Sequence, residues 1–394
     1  MKRKMNRMHM LRPAIGSFLL MVAMSLGQSA LSFFNQPVSA ALGVGRGSFT
    51  IYYSLLTAAG ALASPFMGQF ANQHGTRPIM ILSGIWCAAG FMAFSVIDQL
   101  WMFYTVAIIM GLLCTSCVLL CANVTIQSSY SSEQATGLIG FVMSGAGVGG
   151  IITSITLPRV ISSYGWQIGY RVLGISWLIL VWTAVWFIGR PNISDVQMKV
   201  TSRQGMSRRE AIHGKQLYLI IACGFLLNAC CAVTVQVPAI LSSYHFSITQ
   251  VGLLTSLMAA SIGIGQVFQG WLYRKVGIKK GGSIAISLFL LGFIMLTSKP
   301  TAVPALVLIA IGIGIITTLI PLSTKYAFGQ KEYASIYGLI NMGVTSGNFL
   351  AAPLWGLIYD KFGTYHPGLL TAPTIVFTAL VLHILVFNKK ENIN

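Results

Sequence analysis

Long apolar stretches recur along almost the whole chain, and they constrain its fold more than any other feature of the sequence. An α-helix needs about 20 mostly apolar residues to cross the hydrocarbon core of a bilayer. Twelve stretches meet this requirement, six on each side of a polar segment, near residues 13–41, 49–71, 78–96, 100–127, 136–158 and 170–189, then near 216–241, 249–272, 281–297, 302–325, 335–357 and 368–387. The sequence therefore predicts an all-α membrane protein with twelve transmembrane helices.

The low charge content leads to the same conclusion. Only 8% of the 394 residues are charged, whereas soluble proteins carry about 25%. The formal net charge of +18 is spread over short segments between the apolar stretches, and no segment forms a basic domain with base-stacking aromatic residues. We therefore expect the lipid bilayer as a partner, and no nucleic acid.

The positions of the basic residues predict the orientation of the chain. Lys and Arg are enriched in the cytoplasmic loops of membrane proteins. With both termini in the cytoplasm, the exceptions to this rule are Arg46, Arg159, Arg171, Lys299 and Lys361. The basic segment from Met1 to Arg12 precedes a stretch long enough to span, so we interpret that stretch as a retained first helix rather than a cleaved signal peptide. The expected location is the plasma or inner cell membrane.

The two groups of six helices repeat each other. Gly68 and Gly270 open similar segments and lie 202 positions apart, while Gly137-Leu138-Ile139 and Gly338-Leu339-Ile340 lie 201 apart, as do Pro37 and Pro238. Parallel repeats of this kind are a transporter architecture. The pattern predicts a pseudo-symmetric pair of six-helix bundles, at residues 1–189 and 216–394, joined by a polar cytoplasmic linker at 190–215.

The segment from Gly68 to Arg77 and its repeat resemble the loop signature of the major facilitator superfamily. The resemblance implies carriers that work by alternating access, with these segments controlling the conformational change. The expected gating residues are Gly68, Asn72, Gly75, Arg77, Gly270, Arg274 and Gly277. Asn72 stands where the family usually has Asp, and this departure weakens the family's charge-based latch between the halves.

The fifth span and the loop after it resemble the monocarboxylate and oxalate/formate porter branch of that superfamily. The resemblance rests on Gly145-x-Gly147-x-Gly149-Gly150, on Pro158 and on Tyr164-Gly165-Trp166 before Tyr170-Arg171. That branch typically binds its anion through a basic residue in the middle of span eight or eleven. Here those spans offer amides instead, so the anion-binding residues of the branch have no counterpart.

Polar side chains in the middle of the spans are the candidates for the binding site, because a polar group deep in a membrane faces a partner or a wet cavity. Each of them is also explained by a hydrogen bond to a neighbouring helix. The predicted substrate-binding residues are Gln28, Tyr52, Asn123, Asn228, Gln266, Asn341, Asn348 and Lys325. Lys325 is also explained by snorkelling to the interface, and Tyr52 by a place at the membrane boundary.

No Asp or Glu falls within a predicted span. Proton-coupled carriers commonly use an embedded carboxylate, so facilitated diffusion or exchange is favoured over proton coupling. His245 and His383 are the remaining candidates for proton-sensitive groups.

Cys114, Cys117 and Cys121 share one helix face, which suits a metal site or close helix packing. The absence of nearby His, Asp and Glu favours packing.

These observations predict a transporter that moves a small organic solute by alternating access, in the first place a small organic acid resembling a monocarboxylate. The alternative is an efflux carrier for amphipathic, drug-like compounds. A receptor built on a carrier scaffold is a third possibility. No phosphate-binding loop, metal-ligand cluster or nucleophile–base spacing appears in the sequence, so we expect no enzyme activity, no cofactor and no bound metal. We expect the chain to work as a monomer.

Overall fold

The structure is a computed structural model, and it describes residues 2–113, 115–189 and 205–388. In this part of the chain almost every residue is helical. The helices of the first half are α1 (Lys2–Ala41), α2 (Arg46–His74), α3 (Arg77–Phe94), α4 (Leu100–Gly111), α5 (Thr115–Ser129), α6 (Ser132–Tyr164) and α7 (Trp166–Ile188). Those of the second half are α8 (Arg208–His213), α9 (Lys215–Cys231), α10 (Val237–Ser243), α11 (Ile248–Met295), α12 (Ala302–Phe328), α13 (Tyr333–Phe362) and α14 (His366–Asn388).

These helices form twelve spans in two six-helix bundles. The fourth span consists of α4 and α5, and the seventh consists of α9, a short 3₁₀ turn (Ala232–Val235) and α10. α11 contains spans eight and nine, since its 48 residues are about twice the length of one span. By length and composition, eight of the described helices are apolar enough to cross a membrane. The linker residues 190–204 lie outside the described part of the chain, so the predicted domain boundaries stay a prediction.

Two glycines turn the chain at matching places in the two halves. Gly75 ends α2 with φ 80° and ψ 177°, and Gly277 interrupts α11 with φ 82° and ψ 163°. A positive φ with an extended ψ is a conformation that glycine adopts without a steric penalty. The two positions lie 202 apart, like the glycines that open their segments. These two glycines, both predicted gating residues, therefore form the sharp turns between consecutive spans.

Apolar side chains occupy both the inside and the outside of the bundles. Trp177, Phe289 and Phe293 are completely buried, while Leu62, Phe66 and Trp186 are among the large apolar residues exposed on the surface. An apolar outer surface is stable only against lipid, because in water a large exposed apolar area drives association. The bundles therefore have lipid on the outside and a protein core within.

The two bundles meet along two pairs of helices. α2 packs against α13, and α6 packs against α11. Small residues bring the backbones together there: a side chain at Gly68 would clash with the carbonyl oxygen of Ala334, and one at Gly140 with that of Gln266. Close approach through small residues is how membrane helices gain packing energy when lipid supplies no hydrophobic driving force.

Candidate functional site

A cavity of about 340 Å³ lies between the two halves. Four of the eight predicted substrate-binding residues line it: Gln28 from α1, Asn228 from α9, and Asn341 and Asn348 from α13. The sequence placed these amides in the middle of three different spans, and the fold brings them to one space. Their roles toward a solute stay a prediction.

Polar and apolar side chains share the lining of this central cavity. The hydroxyl groups come from Tyr53, Thr57, Thr234, Thr317 and Thr345, and the apolar surface comes from Met24, Leu119, Ile313, Ile316 and Phe349, with Cys231 beside them. None of these described lining residues carries a charge at neutral pH. The cavity therefore offers hydrogen-bond donors and acceptors together with apolar walls, and no ion pair.

Hydrogen bonds within the protein orient two of the lining amides. Asn228 Nδ2 donates to the carbonyl oxygen of Val344 at 2.9 Å, and Asn341 Nδ2 donates to Ser64 Oγ at 3.2 Å. Each bond fixes the amide plane and uses one donor, so the amide oxygen is left as a further acceptor. Such fixed groups bind a ligand with a smaller loss of side-chain entropy.

Gln266 lies one layer behind the cavity. Its Nε2 donates to Thr317 Oγ1 at 3.1 Å, and Thr317 itself faces the cavity. Gln269, one turn further along α11, has its Nε2 2.5 Å from the carbonyl oxygen of Ile311. The structure therefore places Gln266 as a support for a lining hydroxyl, whereas the sequence predicted direct contact with the solute.

Tyr52 does not line the cavity either. It is buried in a cluster of rings at the end of the first bundle that is remote from the linker, where its hydroxyl lies 3.5 Å from that of Tyr170. Phe34 stacks on Tyr170 with 3.8 Å between ring centroids, and Phe94 and Phe103 pack on Tyr52. These contacts explain Tyr52 as part of a rigid aromatic core.

Asn123 and Lys325 belong to a contact between the halves on the side where the linker lies. Asn123 Nδ2 donates to the hydroxyl of Tyr337 at 3.1 Å. Lys325 Nζ donates to the main-chain oxygen of Gln127 at 3.2 Å. Gln127 lies in the last turn of α5, so the ammonium group is placed at the negative end of a helix dipole in the opposite half. Snorkelling alone does not explain a lysine that is 8% exposed.

The same side of the molecule holds further contacts between the halves. We name this region the linker-side gate, after its predicted role: α2 residues 64–72, α5 residues 123–127, and residues 325–341, which run from α12 into α13. Asn72 Oδ1 accepts a hydrogen bond from the backbone N–H of Ala334 at 3.2 Å. Gly68 packs against the backbone of Ala334 and Ser335, and Gly338 against that of Ser64 and Pro65. Backbone contacts, the neutral hydrogen bond of Asn72 and the charged hydrogen bond of Lys325 therefore join the halves here.

The remaining predicted gating residues lie near this gate or at its pseudo-symmetric counterpart. Gly270 meets Gly140, and Arg274 lies along Gly137, where an added Cβ would be 3.2 Å from Arg274 Cδ. Arg77 is half-buried in the first turn of α3. Gly75 and Gly277 form the turns described above. Their role in gating is still a prediction.

The sequence matches a known protein family along nearly the whole length of the chain. The model of the Major Facilitator Superfamily matches residues 17–235 and again residues 217–393, one match for each half. The chain belongs to the Major Facilitator Superfamily. It is a multi-pass membrane transporter of that family, as the glycine-rich segments had predicted.

Individual relatives are distant. The sialic acid transporter NanX from Escherichia coli K12 is 22% identical over 89% of this chain and 87% of its own length. Monocarboxylate transporter 9 from Rattus norvegicus is 32% identical, but over only 32% of this chain and 24% of its own length. A crystal structure of a bacterial homologue of the iron transporter ferroportin, in the outward-facing state, superposes with a TM-score of 0.75 at 13% identity, covering 95% of this chain and 98% of that one.

Several residues of this transporter's cavity and gate escaped the sequence analysis. Ser64, Thr57 and Thr345 are small hydroxyl residues, which are common in membrane helices whether or not they face a cavity. Arg208, in the polar linker, joins both halves: its backbone N–H donates to Glu332 at 2.9 Å, and its guanidinium donates to Gln69 at 3.1 Å. The one available signal was the capping pair Ser207 and Glu210, which marks the start of α8.

The other candidates from the sequence have structural surroundings. His383 is buried in α14 with Nε2 3.2 Å from the main-chain oxygen of Lys279, and His245 ends a turn with φ 59°. Cys121 is buried, and its thiol lies 3.7 Å from the main-chain oxygen of Thr76. The side chains of Cys114 and Cys117 lie outside the described part of the chain.

Proposed function

We propose that this transporter carries a small organic solute across the cell membrane by alternating access, with the solute in the central cavity. The observation that carries the proposal is the convergence of Gln28, Asn228, Asn341 and Asn348 on one space between the two bundles. Amides from both halves can hold a solute only while both halves surround it. The solute therefore couples to the relative position of the bundles.

The linker side corresponds to the cytoplasm in this proposal. The basic residues concentrate there, as the positive-inside rule requires, and both termini belong to the same side. The contacts of Asn72, Lys325 and Gly68 then close the cytoplasmic exit of the cavity. In this proposal the structure represents an outward-facing state, because the contacts that close the cavity lie on the linker side. The chain acts as a monomer because one chain supplies both halves of the cavity.

A small organic acid is the first candidate substrate. The relatives named above are a sialic acid transporter and a monocarboxylate transporter. The amide N–H groups and the threonine hydroxyls of the cavity can donate to a carboxylate. Because none of the described residues that line the cavity is a cation, the desolvation of the anion is offset only by these neutral donors. We therefore expect weak binding, and a better fit for acids that also carry several hydroxyl groups.

Counterflow in proteoliposomes tests this function. Proteoliposomes that contain the purified protein are loaded with one unlabelled solute, and the entry of the same solute in labelled form is measured. The panel of solutes includes lactate, sialic acid and a neutral sugar. We expect saturable counterflow for at least one acid, and its loss in the Gln28→Ala, Asn348→Ala double variant. The absence of saturable flux for every acid, with the neutral sugar transported, would refute an acid substrate.

The apolar walls favour one other function, the efflux of amphipathic, drug-like compounds. Met24, Ile313, Ile316 and Phe349 give the cavity a large apolar surface, and drug-sized ligands bury most of their surface against such walls. Expression in a drug-sensitive host distinguishes the two functions. Raised resistance together with no acid counterflow would select efflux.

A further inference from the structure

A second cavity, of about 410 Å³, lies on the linker side and away from the central one. α6 contributes Glu133 and Thr136 from the first half, while α11, α12 and α14 contribute the rest from the second half. The residues that matter here are Arg274, Lys279, Tyr326 and Phe387. This space, which we name the basic cavity, is therefore built by both bundles.

The charge of the basic cavity is positive. Arg274 and Lys279 line it, against the single carboxylate of Glu133. Lys275 and Lys280, which lie on either side of the Gly277 turn, add positive charge, and the ammonium of Lys275 lies 4.9 Å from the ring centroid of Trp271. Arg274 reaches the first bundle, because Gly137 leaves room for its side chain. An anion placed in this cavity would meet cations on one wall.

The surroundings of the basic cavity correspond to the depth of lipid headgroups. Trp271 is 47% exposed and Tyr326 is 44% exposed, and exposed Trp and Tyr mark the membrane–water boundary. The wall also includes the apolar side chains of Ile278 and Phe387. A ligand with an anionic head and an apolar body would match both kinds of wall.

We propose that the basic cavity binds the phosphate headgroup of an anionic phospholipid. Arginine and lysine pockets between transmembrane helices recognise such headgroups, and a guanidinium binds two phosphate oxygens at once. Because Thr136 and Arg274 belong to different halves, a bound lipid contacts both bundles when the linker-side gate is closed. Anionic lipid therefore stabilises the closed gate relative to the open one.

Thermal unfolding in nanodiscs tests the binding. The tryptophan fluorescence of the full chain is followed in phosphatidylcholine discs with increasing phosphatidylglycerol. We expect a rise in melting temperature with phosphatidylglycerol, and an apparent affinity about fivefold lower for Lys279→Gln and for Arg274→Gln. Glu133→Gln removes the opposing carboxylate and should increase the affinity.

Lys280→Gln is the matched control, since it removes the same charge from the adjacent exposed residue, which does not line the basic cavity. An equal loss for Lys280→Gln and Lys279→Gln would mean attraction to the surface charge alone and would overturn the site. If Arg274→Gln does not fold, the apparent affinities of Arg274→Lys and Lys279→Gln still test whether the basic cavity binds the lipid.

Glycerol phosphate in phosphatidylcholine discs should leave the melting temperature unchanged. An equal shift with it would assign the cavity to a soluble anion and overturn the lipid proposal.

The effect on the gate is measured separately. Spin labels at Gln134→Cys and Lys280→Cys, in a background without the native cysteines, report the distance between the halves on the linker side. We expect phosphatidylglycerol to shift the distances toward the short, closed-gate population. Binding without such a shift would overturn the bridging of the two halves.

Discussion

The amide oxygen of Asn72, in α2, accepts a hydrogen bond from the backbone N–H of Ala334, in the first turn of α13, at 3.2 Å. The first N–H groups of a helix have no partner within the helix, so a side chain from the other bundle satisfies one of them. A carboxylate at this position would add an attraction to the positive end of the helix dipole. The amide of Asn72 accepts the hydrogen bond but, unlike a carboxylate, carries no negative charge.

Substitutions at Asn72 should therefore change the stability of the gate in opposite directions. Asn72→Asp adds charge and should favour the closed gate by about 0.5 kcal/mol, while Asn72→Ala removes a hydrogen bond and should disfavour it by about 1 kcal/mol. Ser335→Cys, buried in the gate, reports opening through its rate of maleimide labelling. Slower labelling for Asp and faster labelling for Ala are expected; the same direction for both would contradict the dipole argument.

Gly68→Ala should hold the gate open. The new methyl group would overlap the carbonyl oxygen of Ala334, and overpacking of this kind costs about 1–3 kcal/mol. We expect faster labelling of Ser335→Cys and a transport rate at least about fivefold lower. Gly252→Ala is the control, because a side chain at this helical glycine would meet nothing within 4 Å. Equal effects of the two substitutions would refute the close contact as the cause.

The cavity and the aromatic cluster should respond differently to substitution. Gln28→Ala and Asn348→Ala each remove hydrogen-bonding capacity from the central cavity, and we expect a rise in KM of about fivefold for each. Tyr52→Phe removes only a hydroxyl that lies 3.5 Å from Tyr170, and KM should stay the same. A raised KM for Tyr52→Phe would return that residue to the binding site.

Lys325 should act on the gate through its charge. Lys325→Met removes the ammonium from the end of α5, where it binds the main-chain oxygen of Gln127. The closed gate should lose about 1–2 kcal/mol, with faster labelling of Ser335→Cys. Lys325→Arg keeps the charge and serves as the control. If Lys325→Met raises KM with unchanged labelling, the lysine binds the solute instead.

Transport should be independent of a proton gradient. The described acidic residues Asp98, Glu133, Glu210, Glu332 and Asp360 lie in turns or near the ends of helices, where they are unsuited to carry a proton through the centre of the membrane. Initial rates of counterflow should be equal with and without an imposed pH difference. Accumulation driven by that difference would contradict this prediction and would make His245 and His383 the first titrating groups to test.

Much of the candidate site was predictable because a buried amide has an energetic cost in a membrane. Gln28, Asn228, Asn341 and Asn348 are polar residues in the middle of apolar spans, and the structure brings all four to the central cavity. The same reasoning failed to separate them from Asn123 and Gln266, which are also amides within apolar spans. Those two have protein partners, Tyr337 and Thr317, and sequence spacing does not reveal partners on other helices.

The sequence by itself determined the twelve spans, the duplication and the glycine-rich turns, because each depends on residues that are neighbours along the chain or on a fixed offset between the halves. Only the tertiary structure decided which polar groups face the cavity, and that Lys325 meets the end of α5 and Asn72 the start of α13. The physical reason is that helix rotation and the crossing of the two bundles set these contacts. They arise from the packing of small residues, such as Gly68 and Gly140, against distant backbone.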